Sequence, residues 1–542
     1  MSELIEKGKE HLSKHEWDEA LEAFRAALRL PDVRYEERFD LYNQMGIAHH
    51  MRGKWDEALD SWKRALDSAV EVGDETGRAT ALGNMGLVYH DQGEWDRAVE
   101  AHETSLRISQ KLGNEHEIAV RCSALGSVYH EKGEWGKATE FFQRALEGFD
   151  KVEDEHGMAQ VYNNLGLAHR SKGEWKTAMD YYEKALKGYE KIGNEQGITE
   201  TCGNLGMVFY GRGEWQEAYR LVERALKGHA RLRNAHGIAT TQHNLGVICE
   251  GRGEWNKAIE FYKKALKGYE NLGDEHGAVQ TRGNLGILYH SAGDWDKAIT
   301  YMEEALEGSE KLGDEHGKAK AYSNLGMVHC DRGDCEKAIE FFEAALRGHE
   351  RIGDEPGIAR ACNNLGVVYQ VRGEWDKSIE FLQRGLEGFE KVGDVPEMAR
   401  AYNNLGIAHQ EKGESHKAVE LYEKSLKIKT EIGDIRGTAM TYLNLGRLHH
   451  QEGKRGRAID FYRKARLAFE KIGDERGAAT IKVNVGILHK ERAEKDQAGE
   501  LFREALQVFE EIGDMPNAEW TRVHLKELDK GGAADRSTDA TD

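Results

Sequence analysis

Across residues 154–193 the apolar side chains recur at helical spacing. Met158, Val161, Tyr162, Leu165, Ala168 and His169 fall three or four apart, Gly173 interrupts, and Trp175, Ala178, Met179, Tyr182, Ala185, Leu186 and Tyr189 resume the pattern. Polar and charged residues fill the intervening positions, so each segment predicts an amphipathic helix and the pair predicts an αα-hairpin. The pattern returns every forty residues with no insertion. Its marker is a Leu-Gly pair with the glycine at Gly86, Gly126, Gly166, Gly206, Gly246, Gly286, Gly326, Gly366, Gly406, Gly446 and Gly486 (Met-Gly at the first, Val-Gly at the last). A fixed period of this size means one supersecondary unit stacked many times, each burying its apolar face on its neighbour. The expected fold is all-α, a solenoid of stacked hairpins, and function is expected along a surface.

Helix boundaries follow from residue chemistry. Asp or Asn opens the first helix of each unit from Asp74 onward, as at Asn114, Asp154, Asn194 and Asp354, offering a side-chain oxygen to the free amides of the first turn. The residue before it is usually Gly, as at Gly193 and Gly273, suited to the left-handed position that ends the preceding helix. Pro356, Pro396 and Pro516 lie inside the first turn, where a missing amide proton costs little. Ala58, Ala98, Ala138, Ala178 and their equivalents form a column of small residues where two helices approach closely. A second small column, Gly148, Gly188, Gly228, Gly268, Gly308, Gly348 and Gly388, is expected at a tight crossing with the next unit. The organisation is then a shorter degenerate unit as N-terminal cap (1–34), twelve forty-residue units (35–514), a capping helix (515–530) carrying Trp520, Leu525 and Leu528, and a disordered tail (531–542).

Leu-Gly, an aromatic or His three residues on, then Ala-x-x-x-Tyr/Phe and a further Ala resembles the tetratricopeptide repeat (TPR), over nearly the whole chain. The unit departs from the common 34-residue form by lacking the first Trp and final Pro and by prolonging the second helix. It is similar to the forty-residue variety of the Pins/LGN polarity scaffolds and, in part, to kinesin light chains. The resemblance implies a right-handed superhelical solenoid that binds an extended protein or peptide segment in its concave groove, without catalysis and without a cofactor.

The resemblance also places candidate residues. Directly before Leu-Gly stand Asn84, Asn164, Asn204, Asn244, Asn284, Asn324, Asn364, Asn404, Asn444 and Asn484. In TPR proteins this position faces the groove, and an amide can read a peptide main chain through both a donor and an acceptor. The other reading is that duplication copied the Asn, which bonds within its own turn. Four residues earlier the column varies, and Lys320, Arg360 and Arg400 form a consecutive cationic triplet resembling TPR clamps for carboxylates. An acidic segment is therefore expected near 314–406. Trp55, Trp95, Trp135, Trp175, Trp215, Trp255, Trp295 and Trp375 open the second helices and are expected as core. Cys335, Ser415, Arg455 and Lys495 replace them later, which predicts earlier fraying toward the C-terminus.

Composition narrows the partners. The formal net charge of −20 argues against a phosphate-backbone binder, so nucleic acid is not expected. The segment MSELIEKGKEHL lacks an apolar leader core, and no run of eighteen apolar residues occurs, so no membrane span is expected. Six cysteines on helix positions read as packing residues of a reducing, cytoplasmic setting. No GxxxxGK[ST], GxSxG, HExxH or paired CxxC is present, so no enzyme is expected. His329, Cys330 and Cys335 form the one mixed cluster in the sequence, and no metal is expected there or elsewhere. The leading function is a protein-interaction adaptor. The alternative is a regulatory sensor that binds a signalling peptide or protein and acts through a separate effector. Self-association is left open.

Overall fold

The computed structural model describes residues 2–14, 16–31 and 33–535. Within them lie 27 α-helices and no strand, and successive helices pack in antiparallel pairs along an all-α repeat solenoid. The helices group into two compact units, residues 1–277 and 278–542.

One repeat explains the rest. Its first helix is Glu155–Ser171 and its second Trp175–Ile192. Asp154 caps the first, its carboxylate accepting the Gly157 N–H at 3.0 Å. The same bond recurs from Asn114 to Asp514, for example at Asn194 (2.9 Å), Asp314 (2.9 Å) and Asp434 (2.8 Å). Gly193 takes the left-handed conformation that ends the second helix, with φ 68°. Where the chain puts Glu153 or Arg233 at that position, the backbone stays left-handed (φ 55° and 53°).

The Leu-Gly beat is a packing device. A Cβ on Gly126, Gly166, Gly246, Gly326, Gly406, Gly446 or Gly486 would lie 2.5–2.8 Å from the ring of Phe142, Tyr182, Tyr262, Phe342, Tyr422, Tyr462 or Phe502, in the second helix of the same hairpin. Those rings are among the most deeply buried side chains in the protein. The glycine is therefore the seat of the aromatic sixteen positions later, and closing the hairpin requires that hydrogen replace a side chain. The short N-terminal hairpin, Ser2–Ser13 and Trp17–Leu28, repeats the device with Gly8 beneath Phe24.

The second glycine column differs from its expected role. A Cβ on Gly148, Gly268, Gly348 or Gly388 would meet Ala119, Ala239, Ala319 or Ala359 at 2.7–2.9 Å, again within one hairpin. Both glycine columns thus close the hairpin, and neither marks a crossing with the next unit. Contact between units falls to larger side chains, as where Phe142 and Phe149 pack with Val161 and Leu165. All six cysteines are free, and Cys122, Cys202, Cys249 and Cys362 are buried among these side chains. The last helix, Met515–Asp535, packs Ala518, Leu525 and Leu528 on Phe502 and Phe509. Its backbone runs past the expected end at 530, and residues 536–542 of the expected disordered tail lie outside the described residues. No helix among the described residues is long and apolar enough to cross a membrane.

Candidate functional site

The asparagine column sits mid-way along the first helices, partly buried except for Asn444 and Asn484, which are buried. Four of its members stitch one repeat to the one before. The side-chain amides of Asn84, Asn204, Asn404 and Asn444 donate to the carbonyls of Asn43, Asn163, Asn363 and Asn403, at 3.0, 3.4, 3.4 and 3.2 Å. The Thr201 and Thr441 hydroxyls donate to Asn163 and Asn403 at 3.3 Å. Asn484 instead bonds within its own turn, donating to the Thr480 carbonyl at 2.8 Å. An amide carries two N–H donors and a carbonyl, so the stitching asparagines keep one donor and the acceptor for a ligand. Asn164, Asn244, Asn324 and Asn364 make no side-chain hydrogen bond among the described residues. The stitching partners were visible in the sequence as the Asn-Asn pairs at 163–164, 363–364 and 403–404.

In the first compact unit, Asn204 and Asn244 line a groove of about 780 Å³ whose other lining residues include Trp175, Tyr210, Arg170, Glu200, Thr240 and His236. It opens where this repeat omits two side chains. Gly203 occupies the position of Asn163 one repeat earlier, and Gly211 that of Ser171. A Cβ on Gly203 would meet only Ala225, at 3.8 Å, while one on Gly211 would lie 2.9 Å from the Trp175 indole. The tryptophan therefore lies on bare backbone. Its neighbour Tyr210 meets Trp215 edge-on, with ring centroids 5.3 Å apart. The lining Thr240 accepts a hydrogen bond from the Tyr269 hydroxyl at 3.1 Å. Glu200 accepts from Gln196 at 2.9 Å.

The tryptophan column, expected in the core, is half-exposed. Trp55, Trp95, Trp135, Trp175, Trp215, Trp255 and Trp295 retain 37–44% of their surface, and Trp375 is partly buried. Each is the first residue of a second helix, where the Cα–Cβ bond tilts back toward the preceding turn, and Trp175 and Trp215 lie over Gly211 and Gly251 of the following unit. A flat apolar face with an N–H at its edge is a contact surface that the periodicity hid among core residues.

In the second compact unit, Lys320, Arg360 and Arg400 are exposed on the helices Glu315–Asp331, Glu355–Val371 and Val395–Glu411, one turn before Asn324, Asn364 and Asn404. Arg400 pairs with Glu397 at 3.2 Å, an exposed contact of little energetic weight. Lys320 and Arg360 make no ion pair among the described residues. Burial quenches three groups that could otherwise do chemistry: Cys362 is pushed up to about 11, His243 down to about 4 and His102 down to about 3, each mainly by loss of solvation. Cys330 and Cys335 pack against the core, and His329 stacks on Phe341 at 5.3 Å, so that trio does not converge on a shared centre.

A family model described as "Tetratricopeptide repeat" matches six successive segments, 37–111, 118–191, 198–271, 277–351, 357–431 and 437–511. The chain belongs to the tetratricopeptide repeat family. TPR arrays are in general non-catalytic modules that bind proteins or peptides, and no enzyme family is indicated for this one. No curated protein sequence matches the chain significantly. Among solved structures, a STAND signal transduction ATPase with a TPR sensor from Pyrococcus horikoshii aligns with a TM-score of 0.51 and 18% identity, over 68% of this chain and 56% of that one. RapI in its apo form aligns with a TM-score of 0.43 and 19% identity, over 50% of this chain and 98% of that one. BtubC from P. vanneervenii gives 0.36 and 22%, over 41% and 90%. At such identities the first likeness shows a shared fold and no more; the other two carry no argument.

Proposed function

We propose that this TPR array is a cytoplasmic adaptor that holds an extended protein segment against its asparagine column. The groove lined by Asn204 and Asn244 carries the proposal, because it gathers their amides with the half-exposed Trp175 and the polar Glu200 and Thr240. The exposed cations Lys320 and Arg360, with Arg400, suit an acidic stretch of a ligand, since charge-assisted bonds to carboxylates are stronger than neutral ones. The six free thiols, four of them buried, fit a reducing compartment.

The test is selection of ligands from a random peptide library, with affinities measured by fluorescence polarisation. Gly203→Asn restores the side chain of the preceding repeat in open space and fills the groove without disturbing the hairpin. Peptides selected on the native chain should lose at least an order of magnitude in affinity to Gly203→Asn and to Asn204→Ala with Asn244→Ala, and acidic peptides should do so to Arg360→Glu with Arg400→Glu. Retention of every ligand at full affinity by these variants, with native circular dichroism, refutes groove binding.

A further inference from the structure

Histidines at the second position of the first helix reach forward to the carboxylate that caps the next repeat. His116 lies 3.3 Å from Asp154 and His236 3.1 Å from Asp274. Behind each ring stands an aromatic from the last turn of the intervening second helix, Phe149 and Tyr269, met edge-on at 5.7 and 5.9 Å. His316 repeats the arrangement toward Asp354, at 3.7 Å, with one change: the aromatic is His349, whose ring centroid lies 6.2 Å from that of His316 at 77°. Among the described residues this is the single place where three His, Cys, Asp or Glu side chains bring their ligand atoms within 4.8 Å of one another.

We propose that His316, His349 and Asp354 form a binding site for a divalent transition ion of the zinc class, which clips the repeat at 314–353 to the helix Glu355–Val371. His349 retains only 5% of its surface. Its Nδ1 meets Asp354 Oδ2 at 2.8 Å, and neither buried atom makes a hydrogen bond of good geometry. A buried ring nitrogen and carboxylate oxygen this close without a well-directed hydrogen bond are costly, and a cation between them satisfies both lone pairs. Zinc at about 2.0–2.1 Å from each donor puts tetrahedral neighbours about 3.3 Å apart. The observed spacings of 2.8 and 3.7 Å bracket that value. The second oxygen of Asp354 accepts the Gly357 N–H at 3.1 Å, which holds the carboxylate in place. His316 is 65% exposed, so the ion reaches the site from solvent and its fourth position faces water.

Sequence spacing alone hides this set, because its members come from two helices and the cap of a third, and His316 reaches the other two only through packing. The test titrates chelator-treated full-length chain with Zn²⁺ in competition with a chromophoric chelator, and with Co²⁺ followed by visible absorption. The native chain should take up one tight equivalent, show the intense bands of tetrahedral cobalt, and gain thermal stability with Zn²⁺. His349→Phe installs the residue of the equivalent positions Phe149 and Phe389, so it should fold; it and His316→Ala should each lose the tight equivalent, the bands and the stabilisation. His116→Ala should keep all three. Absence of saturable binding in the native chain, or tight binding equally retained in His349→Phe and His316→Ala, overturns the site.

Discussion

Replacing Lys429 with methionine should stabilise the protein, and by an amount that depends on pH. Lys429 occupies the column that holds Phe389 and Phe469 in neighbouring repeats, and it keeps only 4% of its surface. Its ammonium makes one hydrogen bond, to Thr441 Oγ1 at 3.0 Å. Burial drives its pKa down to about 8 from 10.5, with nearby Asp434 offsetting part of the effect and Arg400 adding to it. At about 1.36 kcal/mol per unit, holding this amine charged at pH 7 costs the native state about 3 kcal/mol. Methionine is of similar length and forfeits the bond to Thr441, worth about 1 kcal/mol, so the net gain at pH 7 is about 2 kcal/mol. The native pKa is depressed, so the full penalty is present below pH 8. It is relieved as the pH rises toward 10.5, because the native amine sheds its proton before the unfolded one does. At pH 10 the remaining penalty is about 1 kcal/mol and cancels against the lost hydrogen bond. Urea unfolding followed by circular dichroism at pH 7 and pH 10 measures both values. Hydrogen exchange at pH 7 should localise the gain to the helices Ser415–Glu431 and Ile435–Gln451. Unchanged midpoints at pH 7, or a gain of equal size at pH 10, would refute the buried-charge explanation.

His102 is fully buried with both ring nitrogens unpartnered and a pKa brought down to about 3, mainly by burial. The unfolded chain therefore takes a proton between pH 6.5 and 3 that the native state refuses, and stability falls as pH drops through that range. His102→Phe should gain about 2 kcal/mol more at pH 5 than at pH 7.5 in urea unfolding, and equal gains would show that the ring does not stay neutral. Arg233→Gly removes a side chain from a left-handed residue (φ 53°) and should raise stability by about 1 kcal/mol; a lower thermal midpoint would count against that strain. Gly136→Ala adds a methyl group to open space in a helix and should stabilise by about 0.5–1 kcal/mol, whereas Gly388→Ala puts one 2.7 Å from Ala359 and should cost about 1–3 kcal/mol. Shifts of the same sign in both variants would contradict the packing role of the second glycine column.

The caps were legible because they are local. An Asp at 154 and a Gly at 193 act on amides and dihedrals within a few residues, and the helix ends fall where those residues stand. The aromatic seat on each Leu-Gly glycine was legible as a period but not as a contact, since a repeat does not say which column touches which. Three expectations changed for this reason. The tryptophans were grouped with the core because they share its spacing, yet their rings lie over the next repeat's backbone at Gly211 and Gly251. The column from Gly148 to Gly388 was set against the following unit, yet closes its own hairpin. The asparagines were weighed as ligand-binding or locally bonded, and four of them bond to the asparagine of the preceding repeat.

By itself the amino-acid sequence determined that this chain is a TPR array, how its helices begin and end, and which positions are small. Those properties rest on interactions within a turn or a hairpin, repeated often enough to be read directly. Only the tertiary structure decided where the repeat departs from itself to some effect. Gly203 and Gly211 open a groove, Lys429 is buried where neighbouring repeats carry Phe389 and Phe469, and His349 meets His316 and Asp354. Each is an ordinary residue in its own helix, and its consequence comes from side chains of other elements, brought within a few ångströms by packing.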